Sequence, residues 1–113
     1  MTYWHLQQTK DAFARILEHQ DTVLHAGEAE SSMLLALLPD LVDQEAMRNT
    51  EGPMGGIVRP SGAYGFQHIS DISPTGVLGK PQSATAEKGE RLLDAAAEAV
   101  ADAVMDEGLW GRA

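Results

Sequence analysis

His25 and Glu30 are the residues of this chain whose types and spacing suit chemistry, an imidazole and a carboxylate five positions apart in the stretch HAGEAESSMLLALL, His25 to Leu38. Histidine moves protons near neutral pH, and a carboxylate near it orients it, raises its basicity or shares a metal with it. Glu30 falls at the start of an apolar helical run, where the positive end of the helix dipole favours the ionised form. It is therefore expected as a ligand or hydrogen-bond acceptor rather than as an acid. Spacing alone also admits a plainer reading, with His25 as a hydrogen-bonded structural residue beside Gly27 and Glu30 as a dipole partner. Two donors do not make a metal site, since zinc takes three or four and harder cations more.

The remaining candidates are weaker. His5, His19 and His68 lie in no ligand-like spacing. No Gly-rich phosphate loop, nucleophile elbow or zincin motif is present, and Ser31-Ser32 lacks the glycine frame of a hydrolase serine. Tyr3 and Trp4 form an aromatic pair that either walls a pocket or, more commonly, anchors the chain start to the core.

These residues need elements to position them. Leu6, Phe13, Ile16 and Leu17 recur at helical spacing, with Thr9 as N-cap, Asp11 and Arg15 as an ion pair and an end near His19. Thr22-Val23-Leu24 reads as a very short strand carrying His25 at its carboxyl end, the edge where open α/β sheets gather ligands. From Glu28 to Leu38 the run is apolar almost all round, so that helix must be covered on most sides, and Pro39 ends it. Leu41 and Val42 are expected to pack back on it.

Between Gly52 and Gly79 stand seven of the eleven glycines and three of the five prolines, relieved by short apolar pairs such as Ile57-Val58 and Val77-Leu78. A connection this long without regular structure is uncommon inside a compact domain. The last helix is clearer: Thr85 as N-cap, Glu87 in the first turn, Leu93, Ala96, Val100 and Val104 on one face, and Gly108 as a stop. Glu90, Asp94, Glu98, Asp102 and Asp106 wind around it as a solvated surface, relieved by Glu87 with Arg91.

At 113 residues and 43% hydrophobic, the chain is the size of one domain or a piece of one. It has no cysteine, which removes disulfides and thiolate chemistry and makes the cytoplasm the default location. The first residues show no export signal, and no apolar run approaches a membrane span. A net charge of −9, from 8 basic against 17 acidic residues, argues against nucleic acid as a partner. Three helices with two or three strand stubs are too little for an independent sheet. The chain is accordingly expected to complete a larger α/β body, formed with a second polypeptide or a second copy of itself.

HAGEAESSMLLALLPDLVD resembles the H-[AG]-G-x-x-E-[TS]-S-x-[ML]-L segment of the creatininase (creatinine amidohydrolase) family, and SPTGVLGKPQSATAEKGERLL resembles that family's S-x-x-G-V-x-G-[DN]-P-x-x-A-T-x-E-x-G stretch, in the same order. The resemblance implies an α/β fold, here residues 1–113 as a single partial domain, the carboxyl-terminal portion of a three-layer α/β/α sandwich. It further implies a homo- or hetero-oligomer with zinc or manganese, whose metal-bound water attacks a cyclic amide or related C–N bond. In that picture His25 matches the catalytic histidine that passes a proton to the leaving nitrogen, and Glu30 matches the motif's acid beside the metals, as ligand or as His-orienting partner.

The chain departs from the family pattern in having neither the Glu-x-His motif with its following Asp nor the Asn-Gly-His segment, its only asparagine being Asn49. Ser31 stands where Thr is frequent, and Lys80 replaces the usual Asp. The expectation is a metal-dependent amidohydrolase present as a fragment or split subunit, inactive and without stably bound metal on its own, whose partners are the missing amino-terminal portion or second subunit and a small amide or lactam. The rival is a non-enzymatic remnant serving as a partner-binding or assembly module. A weaker third reading is a small free-standing metal-binding protein.

Overall fold

A computed structural model describes residues 1–54 and 67–111. Five α-helices carry the described chain: α1 (Gln7–Ile16), α2 (Glu28–Leu37), α3 (Gln44–Arg48), α4 (Ile69–Ile72) and α5 (Ala86–Met105). Short 3-10 turns at Tyr3–His5, Pro39–Leu41, Pro81–Ser83 and Glu107–Trp110 join or end them. None of the described helices is long and apolar enough to cross a membrane.

The expected α/β/α sandwich is not formed: the described residues are helical and hold no strand or sheet. Thr22-Val23-Leu24 forms no strand: Thr22 lies in a bend, and Val23 and Leu24 have no regular structure. What stands in place of a sheet is three irregular segments joined by isolated bonds. The Leu78 N–H donates to the His25 carbonyl at 2.8 Å, the Gly52 N–H to Gly79 at 2.9 Å, and the Gly79 N–H to Pro53 at 3.0 Å. A ladder needs several consecutive extended residues on each side. Gly76 and Gly79, at φ of +82° and +87°, bound Val77 and Leu78 with left-handed backbone, which leaves no run of that length there. The Ile57-Val58 pair lies outside the described residues.

The hydrophobic centre joins α1, α2 and α5. Phe13, Leu17, Ala29 and Leu92 are buried together, with Tyr3, Ile16, Val23, Met33, Ala95 and Ala96 packed against them. Helices α2 and α5 approach so closely that a Cβ on Gly89 would lie 1.9 Å from the Ser32 carbonyl oxygen, so only glycine fits there. Thr85 caps α5 as expected, its hydroxyl accepting the Lys88 N–H at 3.1 Å.

Several local expectations shift. Helix α1 begins at Gln7, so Thr9 lies inside it, buried, with its hydroxyl unpartnered among the described residues. Asp11 accepts a hydrogen bond from Gln7 at 2.8 Å, and no ion pair between Asp11 and Arg15 is formed among the described residues. The helix ends at Ile16 rather than near His19, because the Glu18 and His19 N–H groups turn to the Glu28 carboxylate at 2.9 and 3.0 Å. On α5 the buried stripe is Lys88, Gly89, Leu92 and Ala99, while Val104 is exposed. Nor is α2 covered on most sides: Leu34, Leu37 and Leu38 are 45%, 60% and 50% exposed. Its apolar run meets α5 along one stripe, and the opposite stripe is left open.

Candidate functional site

His25 sits in the exposed turn between α1 and α2, and its ring is held by a single backbone group. Nδ1–H donates to the Gly76 carbonyl across 2.6 Å. A carbonyl oxygen only accepts, so this bond requires the proton on Nδ1, and in the neutral imidazole the lone pair then lies on Nε2. An imidazole in that tautomer accepts a proton at Nε2 without first rearranging.

The backbone beside it is shaped for this. Ala26 takes φ = +52°, the left-handed region that costs a non-glycine residue energy. Glu30 and Ser31 hold it there from the first turn of α2: the Ala26 N–H donates to Glu30 Oε2 at 2.7 Å, and the Ser31 hydroxyl donates to the Ala26 carbonyl at 3.1 Å. Gly27 follows with no room for a side chain, since a Cβ would lie 2.4 Å from the Leu78 carbonyl oxygen. The two segments that carried the family resemblance therefore lie against each other, and their contact delivers His25 to Gly76.

His25 and Glu30 make no hydrogen bond to each other. Glu30 is exposed, Oε2 engaged with Ala26 and Oε1 unpartnered among the described residues. Its carboxylate edges an open groove of about 380 Å³ lined by Ala26, Ser31, Met33, Leu34 and Leu37. Burial raises the Tyr3 phenol above its ordinary pKa, and the charge of Glu30 adds to the shift. Tyr3 therefore stays a neutral phenol near the groove, edge-on to Trp4 at 5.0 Å between ring centroids and tilted against Phe13 at 6.2 Å, which makes it an anchor to the core.

No group of three metal-ligating side chains exists among the described residues. His5 pairs with the Thr2 hydroxyl, His19 lies beside Glu18, and His68 precedes α4. His25 Nε2 and Glu30 Oε1, without partners among the described residues, are two ligand atoms where zinc takes about three or four, so these residues do not fit a metal by themselves.

Sequence reasoning missed Glu28 and Lys88. Glu28 is fully buried and accepts from the Glu18 and His19 backbone and from Lys88 Nζ at 2.9 Å. Lys88 also reaches the Ser83 carbonyl at 2.7 Å and Glu18 Oε1 at 2.9 Å. Burial pulls its pKa down, but the hydrogen bonds and charges of Glu18 and Glu28 outweigh this and hold it above the ordinary lysine range. A sequence signal existed: Lys88 lies in the first turn of α5, where a cation opposes the helix dipole and needs a compensating partner.

The family model for creatininase, described as creatinine amidohydrolase, matches residues 1–104. Creatinine amidohydrolase of Pseudomonas putida is 30% identical over 88 residues, which are 74% of this chain and 30% of that protein. Mycofactocin precursor peptide peptidase of Mycolicibacterium smegmatis is 34% identical over 86 residues, 74% of this chain and 33% of that protein. The peptidase of the same name from Mycobacterium ulcerans is 36% identical over 87 residues, covering 76% and 32% of the two chains. No solved structure matches the chain. The chain belongs to the creatininase family, and it spans about a third of the length of the curated relatives it matches.

Proposed function

We propose that this chain supplies the histidine-bearing share of a creatininase-type, metal-dependent amidohydrolase site, residues 1–113 forming one partial domain. The substrate class is an amide C–N bond, the bond that the names of both kinds of relative have in common. The observation that carries the reading is the bond from His25 Nδ1–H to the Gly76 carbonyl, which leaves Nε2 as the free proton-transfer atom.

In this reading His25 Nε2 takes a proton as the nucleophile attacks the amide carbon and returns it to the leaving nitrogen, so that nitrogen departs as a neutral amine. Gly76 holds the ring in register and stabilises the imidazolium through its carbonyl dipole. Glu30, ionised at the helix start, braces Ala26 with one oxygen and offers the other as a ligand or acceptor. Glu30 would be this chain's only share of a zinc or manganese site, whose other ligands would come from an amino-terminal portion or second subunit carrying the Glu-x-His and Asn-Gly-His motifs absent from this sequence, and the metal would supply an activated water there. Catalysis is thus assigned to a homo- or hetero-oligomer in the cytoplasm.

The test is reconstitution. The chain is combined with the amino-terminal two-thirds of a family member and with zinc or manganese, complex formation is verified by size exclusion, and amide hydrolysis is measured. Activity of the complex that is absent from either half supports the reading. A verified, metal-loaded complex inert toward creatinine, other lactams and peptide amides overturns it.

A further inference from the structure

Glu28 and Lys88 are the two ionisable side chains among the described residues that are buried, and the proton-transfer chemistry uses neither. A buried ion pair is a weak stability device, since apolar residues of similar size often do as well. What such a pair does well is fix one arrangement of the groups around it.

The groups around this one are specific. The Glu28 carboxylate takes the N–H groups of Glu18 and His19, at the start of the loop that ends in His25. Gln20 braces the same loop, its Oε1 accepting the Glu28 N–H at 3.3 Å and its Nε2 donating to the Thr22 carbonyl at 2.7 Å. From the other side, the Lys88 ammonium spends its three donors on Glu28, Glu18 and the Ser83 carbonyl. Ser83 closes the run that begins at Gly76, so Lys88 ties together the two backbone segments between which the His25–Gly76 bond is made. A second tie, from the Leu78 N–H to the His25 carbonyl, lies along the same seam.

We infer that Glu28 and Lys88 are positioning residues for His25, clamping residues 18–28 against residues 76–83 so that the imidazole keeps its proton on Nδ1 and its lone pair on Nε2. The catalytic importance of the clamp rests on the proton-transfer role proposed above; the positioning itself is readable on the imidazole without turnover.

The experiment is nitrogen NMR of the full chain labelled with 15N-histidine, at a pH of about 8.5 where histidine is neutral, with His25→Gln to assign the His25 ring signals. The wild-type ring is expected as the Nδ1–H tautomer. The double variant Glu28→Gln/Lys88→Met removes both charges together, leaving neither buried alone, and is expected to lower the Nδ1–H fraction about twofold or more toward the Nε2–H form. Lys88→Gln, which keeps one donor in the site, is the second variant and is expected to shift the signal in the same direction. Leu92→Ala, a core truncation outside the clamp, is expected to lower the melting temperature and leave the tautomer unchanged.

A folded clamp variant with the wild-type tautomer overturns the inference, and so does an equal shift in Leu92→Ala, which would make the effect one of general stability. Failure of the reconstituted enzyme would leave this result standing, and failure here would leave the activity standing, so the two ideas separate.

Discussion

Removing the His25 imidazole takes away the one free proton acceptor that the turn holds in a defined tautomer. In the reconstituted enzyme His25→Ala is expected to lower the turnover number about 10²–10⁴-fold, the usual share of a general acid–base group, with metal content unchanged. Retention of the wild-type rate would remove His25 from proton transfer. Lys88 adds a pH-dependent share of stability, and exposed Glu18 a smaller, solvent-screened one. Because the folded pKa of Lys88 is raised, its contribution is complete below the ordinary lysine pKa and is lost as pH rises through the folded value. Glu18 is lowered, chiefly by its hydrogen bond with Lys88, so its contribution is present above the ordinary carboxylate pKa and fades as pH falls through the folded value. The melting temperature should therefore decline above a pH of about 10.4, and Lys88→Met should flatten that alkaline decline.

The contact of α2 with α5 decides whether these residues meet. Alanine for glycine inside a helix ordinarily gains about 1 kcal/mol. At position 89 the added Cβ would meet the Ser32 carbonyl oxygen at 1.9 Å and the Ala36 side chain at 2.9 Å. Gly89→Ala is therefore expected to reverse the sign and destabilise by about 1–3 kcal/mol or more, through overpacking against backbone that cannot yield. Thermal or urea unfolding measures it. Thr85→Ala should cost about 1 kcal/mol through loss of the α5 cap, and Thr85→Ser much less, because the serine hydroxyl keeps the bond to the Lys88 N–H. Both elements were legible in the sequence: the cap from Thr85 and its first turn, and the termination of α2 from Pro39. The buried stripe of α5 was not, because Leu93 and Val100 are as apolar as Leu92 and Ala99, and only the approach of α2 at Gly89 selects which side faces inward.

Across the molecule, an open apolar groove of about 660 Å³ runs between α2 and α5, bounded by Tyr3, Met33, Leu37, Leu93, Val100 and Val104. It shares Met33 and Leu37 with the groove beside Glu30. Exposed apolar surface on this scale binds dyes and other apolar molecules. The isolated chain is expected to enhance the fluorescence of anilinonaphthalene sulfonate. Leu37, 60% exposed, can be replaced by serine with a stability change within about 0.5 kcal/mol, while the enhancement falls. A large loss of stability in Leu37→Ser would mean that this face is already closed in solution.

Part of the local chemistry of the chain was determined by its sequence alone: the cap of α5 at Thr85 and the break of α2 before Pro39, the histidine and carboxylate of one short motif, and the membership in a family that two motifs carried. These depend on residue type and short spacing, which a linear reading captures. The absence of a sheet among the described residues was decided only in three dimensions, because β-prone residues become strands through partners, and the segments at 23–25, 52–53 and 77–79 find only isolated bonds. The same is true of Glu28 with Lys88, sixty positions apart, and of His25 with Gly76, fifty-one apart. Hydrogen-bond partners at such separations are set by how the chain packs: Glu28 on α2 meets Lys88 on α5, and the turn carrying His25 meets the segment carrying Gly76, neither of which residue type or short spacing specifies.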